Sequence, residues 1–361
     1  MDELGLTKPS KIRATFEDNP KLRERDIAHK AGVSESQLLA SLTGKGAAGV
    51  RTTRIQAQPD DIIAAAMELG EVMALTRNES CVHEKVGMYE NYHSGAHASM
   101  VLTEDIDLRM FPSHWRSAFA VEKEMENGTR KSLQVFDAAG DSVHKIFLRD
   151  ASNHDAWQNI VGRLSLDDQS DHLDVSERKP AEAPKYDLSK LDILRKEWKR
   201  LTDTHQFLRL TSKLKMNRLG AYRIADAPFV RELSTGAVDQ VLNQLTQCDT
   251  EVMIFVGNKG CIQIHNGRIG DLRPMGPWQN VMDPGFNLHL RLDHIKEVWA
   301  VEKPTQRGPA VSVEAFDAEG GLILQMFGVG KEGHDSRPAW KALVDTLPDT
   351  THSHAVVAEA L

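Results

Sequence analysis

The chain has 361 residues, of which 40% are hydrophobic and 27% charged, and its formal net charge is −8. This composition indicates a globular protein of one large or two ordinary domains, and the acidic balance argues against a generally basic nucleic-acid-binding surface. The three cysteines lie far apart, which argues against a disulfide framework or a zinc site. No apolar run follows the first charges and no window approaches about 18 apolar residues, so we expect a cytoplasmic protein without signal peptide or membrane insertion.

The first predicted element is a helical region over residues 11–42, and its part 23–42 resembles a DNA-binding helix-turn-helix. Gly32 would form the turn, while Ile27 and Leu38 would pack the two helices together. The would-be recognition helix, SESQLLAS, contains no Arg or Lys that could contact phosphate or guanine. A structural helical hairpin is therefore favoured over DNA binding, which stays open as an alternative.

A short helix is predicted around residues 60–69, and a helix that contains Trp157 ends the region. Between these helices lie seven strand-like runs: VMALT, CVHEKVG, ASMVLT, DIDLRMF, SAFAVEKE, KSLQVFDA and HKIFL. Their boundaries at Gly and Asn predict a mostly antiparallel sheet. Alternation in DIDLRMF places Asp107, Arg109 and Phe111 on one face. Arg109 is then either a surface residue that pairs with Asp107, or a cation that points into a cleft beside Phe111.

The chain contains an internal duplication at a constant offset of 180 residues. Cys81 matches Cys261, FAVEK at Phe119 matches WAVEK at Trp299, and FDAAG matches FDAEG. The period is too long for a solenoid, so it indicates duplication of a whole domain. We predict an α+β fold in tandem repeat, each half a large antiparallel sheet with packed helices. The expected division is a first repeat over 1–165, a polar linker over 166–188 and a second repeat over 189–361.

The second copy begins with LDILRKEWKRLTDTHQFLRL, residues 191–210, whose apolar spacing predicts one helix with His205 in the middle of an apolar stripe. Such a histidine is either a core residue with polar partners or a ligand to a metal or haem iron. The first copy has no histidine at the matching position, as expected if one site serves the molecule. Other polar or aromatic residues that could line one rim are Arg218, Lys303, Gln325 and Phe327, although the pattern around each one alone favours an ordinary surface or sheet residue.

Several separated motifs together resemble the bacterial haemin-degrading and haem-trafficking proteins of the HemS/ChuS/HmuS type. These motifs are LTDTHQF, NRLGAYR, TRNESCVHEKVG, EDIDLRMF, FNLHLRLDHI and WAVEK. The resemblance covers nearly the whole chain and implies two structural repeats with haem b held between them. It implies that His205 is the axial ligand of the iron and that Arg109, beside Phe111, is the catalytic arginine on the distal side.

The same resemblance implies haem contacts from Arg218 and Lys303 near the propionates, with Gln325 and Phe327 lining the pocket. A tyrosine is usual in the family at the position of Phe327, and a basic residue is usual a few positions later, where Lys331 would have to substitute. These departures concern propionate anchoring and not iron ligation.

The resemblance implies a protein that accepts imported haem and degrades it oxidatively with an external electron donor. The alternative is a carrier that delivers haem to a separate haem oxygenase. A haem ABC importer is a further expected partner, whereas nucleic acid is not expected, and the sequence leaves the oligomeric state open.

Overall fold

The computed structural model describes residues 8–331 and 333–350. The chain divides into two compact units, and neither unit is continuous in sequence. The first unit runs as far as Arg77 and continues with His83–Lys179 and Gly257–Ile264, while the second contains Asn78–Val82, Pro180–Val256 and the residues from His265 onward. Each unit therefore includes a short segment from the other half of the sequence.

In the first unit, the described helices are α1 Pro9–Glu17, α2 Glu24–Ala31, α3 Glu35–Ser41, α4 Pro59–Leu69 and α5 Trp157–Leu164. Its strands are β1 Val50–Ile55, β2 Val72–Arg77, most of β3 Cys81–Gly87, β4 Tyr92–His93, β5 Ser99–Leu102, β6 Asp107–Met110, β7 Ser117–Met125, β8 Gly128–Phe136 and β9 Ser142–Leu148. The antiparallel order is β1-β7-β8-β9-β2. Two helix groups bury apolar side chains with these strands: α4 and α5 in one core, and α1 to α3 in another.

In the second unit, the described helices are α6 Leu191–Trp198, α7 Gln206–Lys213, α8 Arg218–Ala225, α9 Ala237–Leu245 and α10 Arg337–Asp345. Its strands are β10 Val230–Leu233, β11 Val252–Gly257, the end of β12 Cys261–Gly267, β13 Trp278–Asp283, β14 Phe286–Arg291, β15 Glu297–Lys303, β16 Ala310–Phe316, β17 Leu322–Gly328, β18 Gly330–Lys331 and β19 His334–Asp335. The order β10-β15-β16-β17-β11 repeats that of the first unit. Helices α9 and α10 share one core with the sheet, and α6 to α8 share another.

Asn258 holds the segment that the second half of the sequence contributes to the first unit. Its Nδ2 donates to the carbonyl oxygens of Arg77 and Val143, both at 2.9 Å. Its Oδ1 accepts the backbone N–H groups of Gly260 and Cys261 at 2.9 and 3.0 Å. The start of β12 then pairs antiparallel with β6. One asparagine therefore shapes the turn and anchors it.

Asn78, 180 residues before Asn258, holds the corresponding turn in the second unit. Its Nδ2 donates to the Ile323 carbonyl oxygen at 2.8 Å, and its Oδ1 accepts the N–H groups of Ser80 and Cys81 at 3.0 and 2.9 Å. The duplicated sequence therefore forms the same turn twice, each time in the unit built mainly from the other half.

The predicted α+β class with large antiparallel sheets is confirmed, and all seven strand-like runs of the first copy are strands. The strand β1, which directly follows a turn, was not predicted from the sequence. Among the residues described, no helix is both long and apolar enough to cross a bilayer.

Candidate functional site

His205 lies at the beginning of a helix and not in the middle of one. The prediction of a single helix over residues 191–210 is wrong, because α6 ends at Trp198 and α7 starts at Gln206. The side chain of His205 is 94% exposed, so it is not part of the buried stripe either. Leu208, expected in that stripe, is 50% exposed, whereas Phe207 is buried.

Local polar side chains explain the break between the two helices. The backbone N–H of Thr202 donates to Gln206 Oε1 at 3.0 Å, and Gln206 Nε2 donates to Thr202 Oγ1 at 3.0 Å. Asp203 accepts the backbone N–H of His205 at 2.7 Å. Threonine and aspartate favour such side-chain-to-backbone bonds at helix starts over continued helix. The apolar spacing continues across the break, which is why periodicity alone predicted one helix.

The imidazole of His205 is oriented by Asp203. Its Nδ1 lies 2.7 Å from Asp203 Oδ1, the same oxygen that accepts the backbone N–H. The hydrogen bond from the His205 backbone is the main cause of the lowered pKa of Asp203, which keeps its carboxyl group ionised. A carboxylate only accepts hydrogen bonds, so the proton of a neutral imidazole lies on Nδ1 and the lone pair on Nε2. An exposed Nε2 with a lone pair suits a single axial ligand of haem iron.

Two cations predicted to contact the ligand meet at one buried carboxylate. Arg218 Nη1, from α8, lies 2.9 Å from Glu314 Oε2, and Lys303 Nζ, from β15, lies 2.9 Å from Glu314 Oε1. Tyr222 and Ser312 donate to the same carboxylate at 3.0 and 2.8 Å. Two cations and one anion leave this cluster with a net charge of +1. A positive cluster suits the negative charge of a carboxylated ligand.

Electrostatics hold the cluster in its ionised state. Burial would raise the pKa of Glu314, but attraction to Lys303 and Arg218 outweighs this and keeps the pKa far below its ordinary value. Burial also lowers the pKa of Lys303, and Glu314 opposes that effect. Lys303 is buried, and its ammonium lies 5.0 Å from the centre of the Phe207 ring. The Arg218 side chain, in contrast, is 22% exposed to solvent. Arg218 is therefore the cation of this cluster that a ligand can reach directly.

Gln325 and Phe327 lie on the same sheet face as this cluster. On the register of β16 and β17, Gln325 stands opposite Glu314 and Phe327 stands opposite Ser312. Both side chains are half-buried, and the Phe327 ring packs edge-on against Phe255 at 5.3 Å between centroids. Since Phe207 of α7 covers Lys303, the structure brings Arg218, Lys303, Gln325, Phe327 and the start of the His205 helix to one side of this unit. Lys331 lies farther along, exposed in the hairpin of β18 and β19.

The other two predicted residues belong to the first unit. Arg109 lies on β6, where Leu108 and Met110 are buried and Asp107 and Arg109 are half-buried on the opposite face. Arg109 forms an ion pair with Asp107, and its Nη1 also donates to the Leu108 carbonyl oxygen at 3.0 Å. The pairing with Asp107, one of the two alternatives from the sequence, is therefore present, and the guanidinium has further N–H groups that these bonds do not use.

Phe111 follows β6 directly. Its backbone N–H donates to the carbonyl oxygen of Gly260 at 2.9 Å, within the segment exchanged from the second half of the sequence. The aromatic side chain is half-buried. The position of Phe111 in this unit is thus set by the exchanged turn, which the sequence did not reveal.

The helix-turn-helix segment has a packing role in the structure. Gly32 has φ 68°, the left-handed conformation that a glycine turn requires, and α3 begins with a capping box between Ser34 and Gln37. Most of α3 is buried, and Glu35 forms an ion pair with Lys145 of β9. A recognition helix needs an exposed face to enter a DNA groove, which this helix lacks.

A second buried polar group lies in the first unit. His144 on β9 contacts the Thr76 hydroxyl through Nδ1 at 2.8 Å and the Tyr89 hydroxyl through Nε2 at 2.6 Å. Burial lowers the pKa of His144 to about 3 and raises the pKa of the neighbouring Cys261 to about 12. Both ring nitrogens are engaged by hydroxyl groups and the thiol stays protonated, which indicates a structural role for this group. Among the described residues, no group of three or more His, Cys, Asp or Glu is placed to hold a metal ion.

Sequence reasoning missed Asp203, Glu314 and Tyr222 as parts of the candidate site. Glu314 carried a usable signal, since it is a lone carboxylate in the strand AVSVEAF, and a fully buried charge requires a partner. Asp203 lies two residues before His205, but the break in the helix must be known before its contact can be inferred. Tyr222 carried no such signal.

Comparison with known proteins gives one consistent result. The family model described as "Haemin-degrading HemS.ChuX domain" matches twice, over residues 32–164 and 215–347, which confirms the predicted tandem repeat. The hemin transport protein HmuS of Yersinia pestis is 34% identical over 332 residues, covering 91% of this chain and 94% of that protein. The structure of holo-PhuS, a heme-binding protein from Pseudomonas aeruginosa, matches with a TM-score of 0.89 at 38% identity, covering 95% of this chain and all of the other. The heme degrading enzyme ChuS of Escherichia coli O157:H7 matches with a TM-score of 0.85 at 30% identity, covering 94% of this chain and all of the other.

Proposed function

Because the chain belongs to the haemin-degrading HemS.ChuX family, we propose that it binds haem b through His205 and degrades it oxidatively to release iron. The observation that carries the proposal is the exposed imidazole of His205, whose Nδ1 is held by Asp203 so that Nε2 remains available. Relatives described as a heme-binding protein, a hemin transport protein and a heme degrading enzyme support it.

Each proposed residue has a distinct task. His205 would bind the iron, and the positive cluster around Glu314 would attract the propionates, with Arg218 as the more exposed cation and Lys303 as the buried one. Gln325 and Phe327 supply a polar and an aromatic surface beside the macrocycle. Arg109, next to Phe111 in the first unit, would offer bound haem a permanently charged hydrogen-bond donor. Haem itself supplies the oxidation chemistry once electrons and oxygen are available.

The binding step is tested by His205→Ala in the haem-reconstituted protein. We expect a weaker haem affinity and a shifted Soret maximum, because the axial nitrogen is lost. His172→Ala is a matched control, since His172 is also an exposed histidine with an aspartate partner, Asp174 at 3.1 Å. An unchanged spectrum of His205→Ala would place the ligand elsewhere.

The alternative function is a carrier that delivers haem to a separate haem oxygenase. It is favoured by the description of the Yersinia relative as a hemin transport protein. Supplying the haem-loaded protein with an electron donor and oxygen separates the two functions. Loss of the Soret band with release of iron and a tetrapyrrole product, with catalase present, supports degradation; a stable Soret band under the same conditions supports the carrier. A cytoplasmic location and a haem ABC importer as partner remain predictions.

A further inference from the structure

We infer that Asp203 is a positioning residue that sets the donor strength of His205 toward the haem iron, an inference that rests on the proposed function. Asp203 would act through the imidazole and would not touch the ligand itself. Its carboxylate fixes which ring nitrogen carries the proton, how the ring is turned, and how much electron density the free nitrogen can donate.

The geometry that supports this is a double contact by one oxygen. Asp203 Oδ1 lies 2.7 Å from the backbone nitrogen of His205 and 2.7 Å from its Nδ1. The first bond holds the carboxylate against the backbone, so the second bond is formed with a fixed acceptor. The imidazole, at 94% exposure, has little packing that could otherwise hold its orientation. The orientation of His205 therefore depends on Asp203.

The chemical consequence follows from hydrogen bonding to a metal-bound histidine. A carboxylate that accepts the Nδ1 proton makes Nε2 a stronger donor, which favours ferric over ferrous iron. A neutral amide acceptor at the same position would keep the geometry but lose the negative charge. Replacement of the carboxylate by an amide therefore separates electronic tuning from simple placement of the ring.

The test uses the full-length, haem-reconstituted protein with Asp203→Asn and Asp203→Ala. For Asp203→Asn we expect a lower Fe–His stretching frequency in the resonance Raman spectrum of the ferrous protein and a more positive iron reduction potential. For Asp203→Ala we expect haem affinity to fall by roughly tenfold or more, as is typical when the hydrogen-bond partner of a ligand is lost.

Asp345→Asn is the matched control, because Asp345 is 59% exposed against 57% for Asp203 and pairs with Lys341 at 2.8 Å. It removes the same charge from the same unit, and we expect the stretching frequency and the potential to stay at wild-type values. Far-UV circular dichroism of each variant reports whether the overall fold is retained.

The outcomes distinguish this inference from the proposed function. If the protein binds haem through His205 and Asp203→Asn leaves the Fe–His frequency and the potential unchanged, the role of Asp203 is refuted and the proposed function stands. If the wild-type protein shows no Fe–His band after reconstitution, or keeps that band in His205→Ala, the ligation by His205 fails and this inference fails with it.

Discussion

At the level of single residues, the contacts of some predicted haem-binding residues could be inferred from the sequence, whereas the contacts of others could not. The pairing of Arg109 with Asp107 follows from their alternation on one strand, and it was one of the two alternatives that the sequence left open. The hydrogen bonds of Lys303 could not be predicted, because its partners Glu314 and Tyr222 are 11 and 81 residues away in sequence. Short-range spacing reports neighbours on one element, whereas a buried network joins elements whose relative placement the sequence does not state.

The buried carboxylate is tested by Glu314→Gln. The substitution leaves Lys303 enclosed without its ionised partner, and breaking a buried pair in this way costs roughly 3 kcal/mol or more. Urea unfolding should show this loss of free energy of unfolding in the apoprotein. Asp345→Asn breaks an exposed pair and should cost at most about 1 kcal/mol. Equal effects of the two substitutions would contradict the account of the cluster.

Arg109 is tested by Arg109→Ala in the haem-loaded protein. We expect haem to remain bound, because the proposed iron ligand is intact. The sixth ligand of ferric iron and the rate of haem degradation should change, because a permanent hydrogen-bond donor is removed. Arg291→Ala is the control, since Arg291 is a half-buried strand arginine that pairs with an aspartate two residues away, Asp293 at 2.7 Å. If Arg109→Ala behaves like Arg291→Ala in both readouts, Arg109 is an ordinary residue of the sheet.

At the scale of elements, periodicity predicted the strands well and the His205 helix incorrectly. Strand runs such as VMALT and CVHEKVG alternate between buried and half-buried positions and are bounded by Asn78 and Gly87, so local physics is sufficient. The stretch before His205 is apolar at helical spacing on both sides of Thr202 and Asp203, yet these two residues form competing side-chain bonds. Apolar spacing does not report these local hydrogen bonds, which lie between the end of α6 and the start of α7.

His144 makes an element-scale prediction, because it joins β9 to β2 and to Tyr89 after β3. Its pKa is lowered to about 3 in the folded state from 6.5, so between these values the unfolded chain binds the proton that the folded chain excludes. Its contribution to stability is complete above about pH 6.5 and is lost as the pH falls, by about 1.4 kcal/mol per unit.

The measurement is the free energy of unfolding from pH 7 to pH 5 in wild type and His144→Gln, which keeps hydrogen-bonding groups but does not titrate. We expect the wild-type curve to fall more steeply below pH 6.5. Parallel curves would show that His144 is not held neutral by burial.

At the scale of the whole molecule, the duplication and the α+β class were predictable, but the exchange of segments was not. Both copies contain the same Asn-x-x-Cys turn, at Asn78 and Asn258, so either turn could satisfy either unit. In the structure each turn belongs to the unit formed mainly by the other half. Sequence similarity between the copies does not reveal this choice, because both turns have the same Asn-x-x-Cys pattern.

The exchange is tested by amide hydrogen exchange in Asn258→Ala and Asn78→Ala. Asn258→Ala should speed exchange at Phe111 in the first unit, where the N–H group bonds to Gly260. Asn78→Ala should do so at Arg291 in the second unit, where the N–H group bonds to Ser80. Each substitution should cost roughly 1–3 kcal/mol, since buried polar groups lose their partners. Faster amide hydrogen exchange that is confined to the mutated half of the sequence would contradict the exchange of segments between the two units.

The central claim is that His205 Nε2 binds the iron of haem. A crystal structure of the haem-loaded protein, with anomalous data collected at the iron edge, tests it most directly. The account predicts an anomalous peak within bonding distance of His205 Nε2, with Asp203 still bonded to Nδ1. An iron peak beside any other side chain, with the His205 imidazole left in solvent, would contradict it.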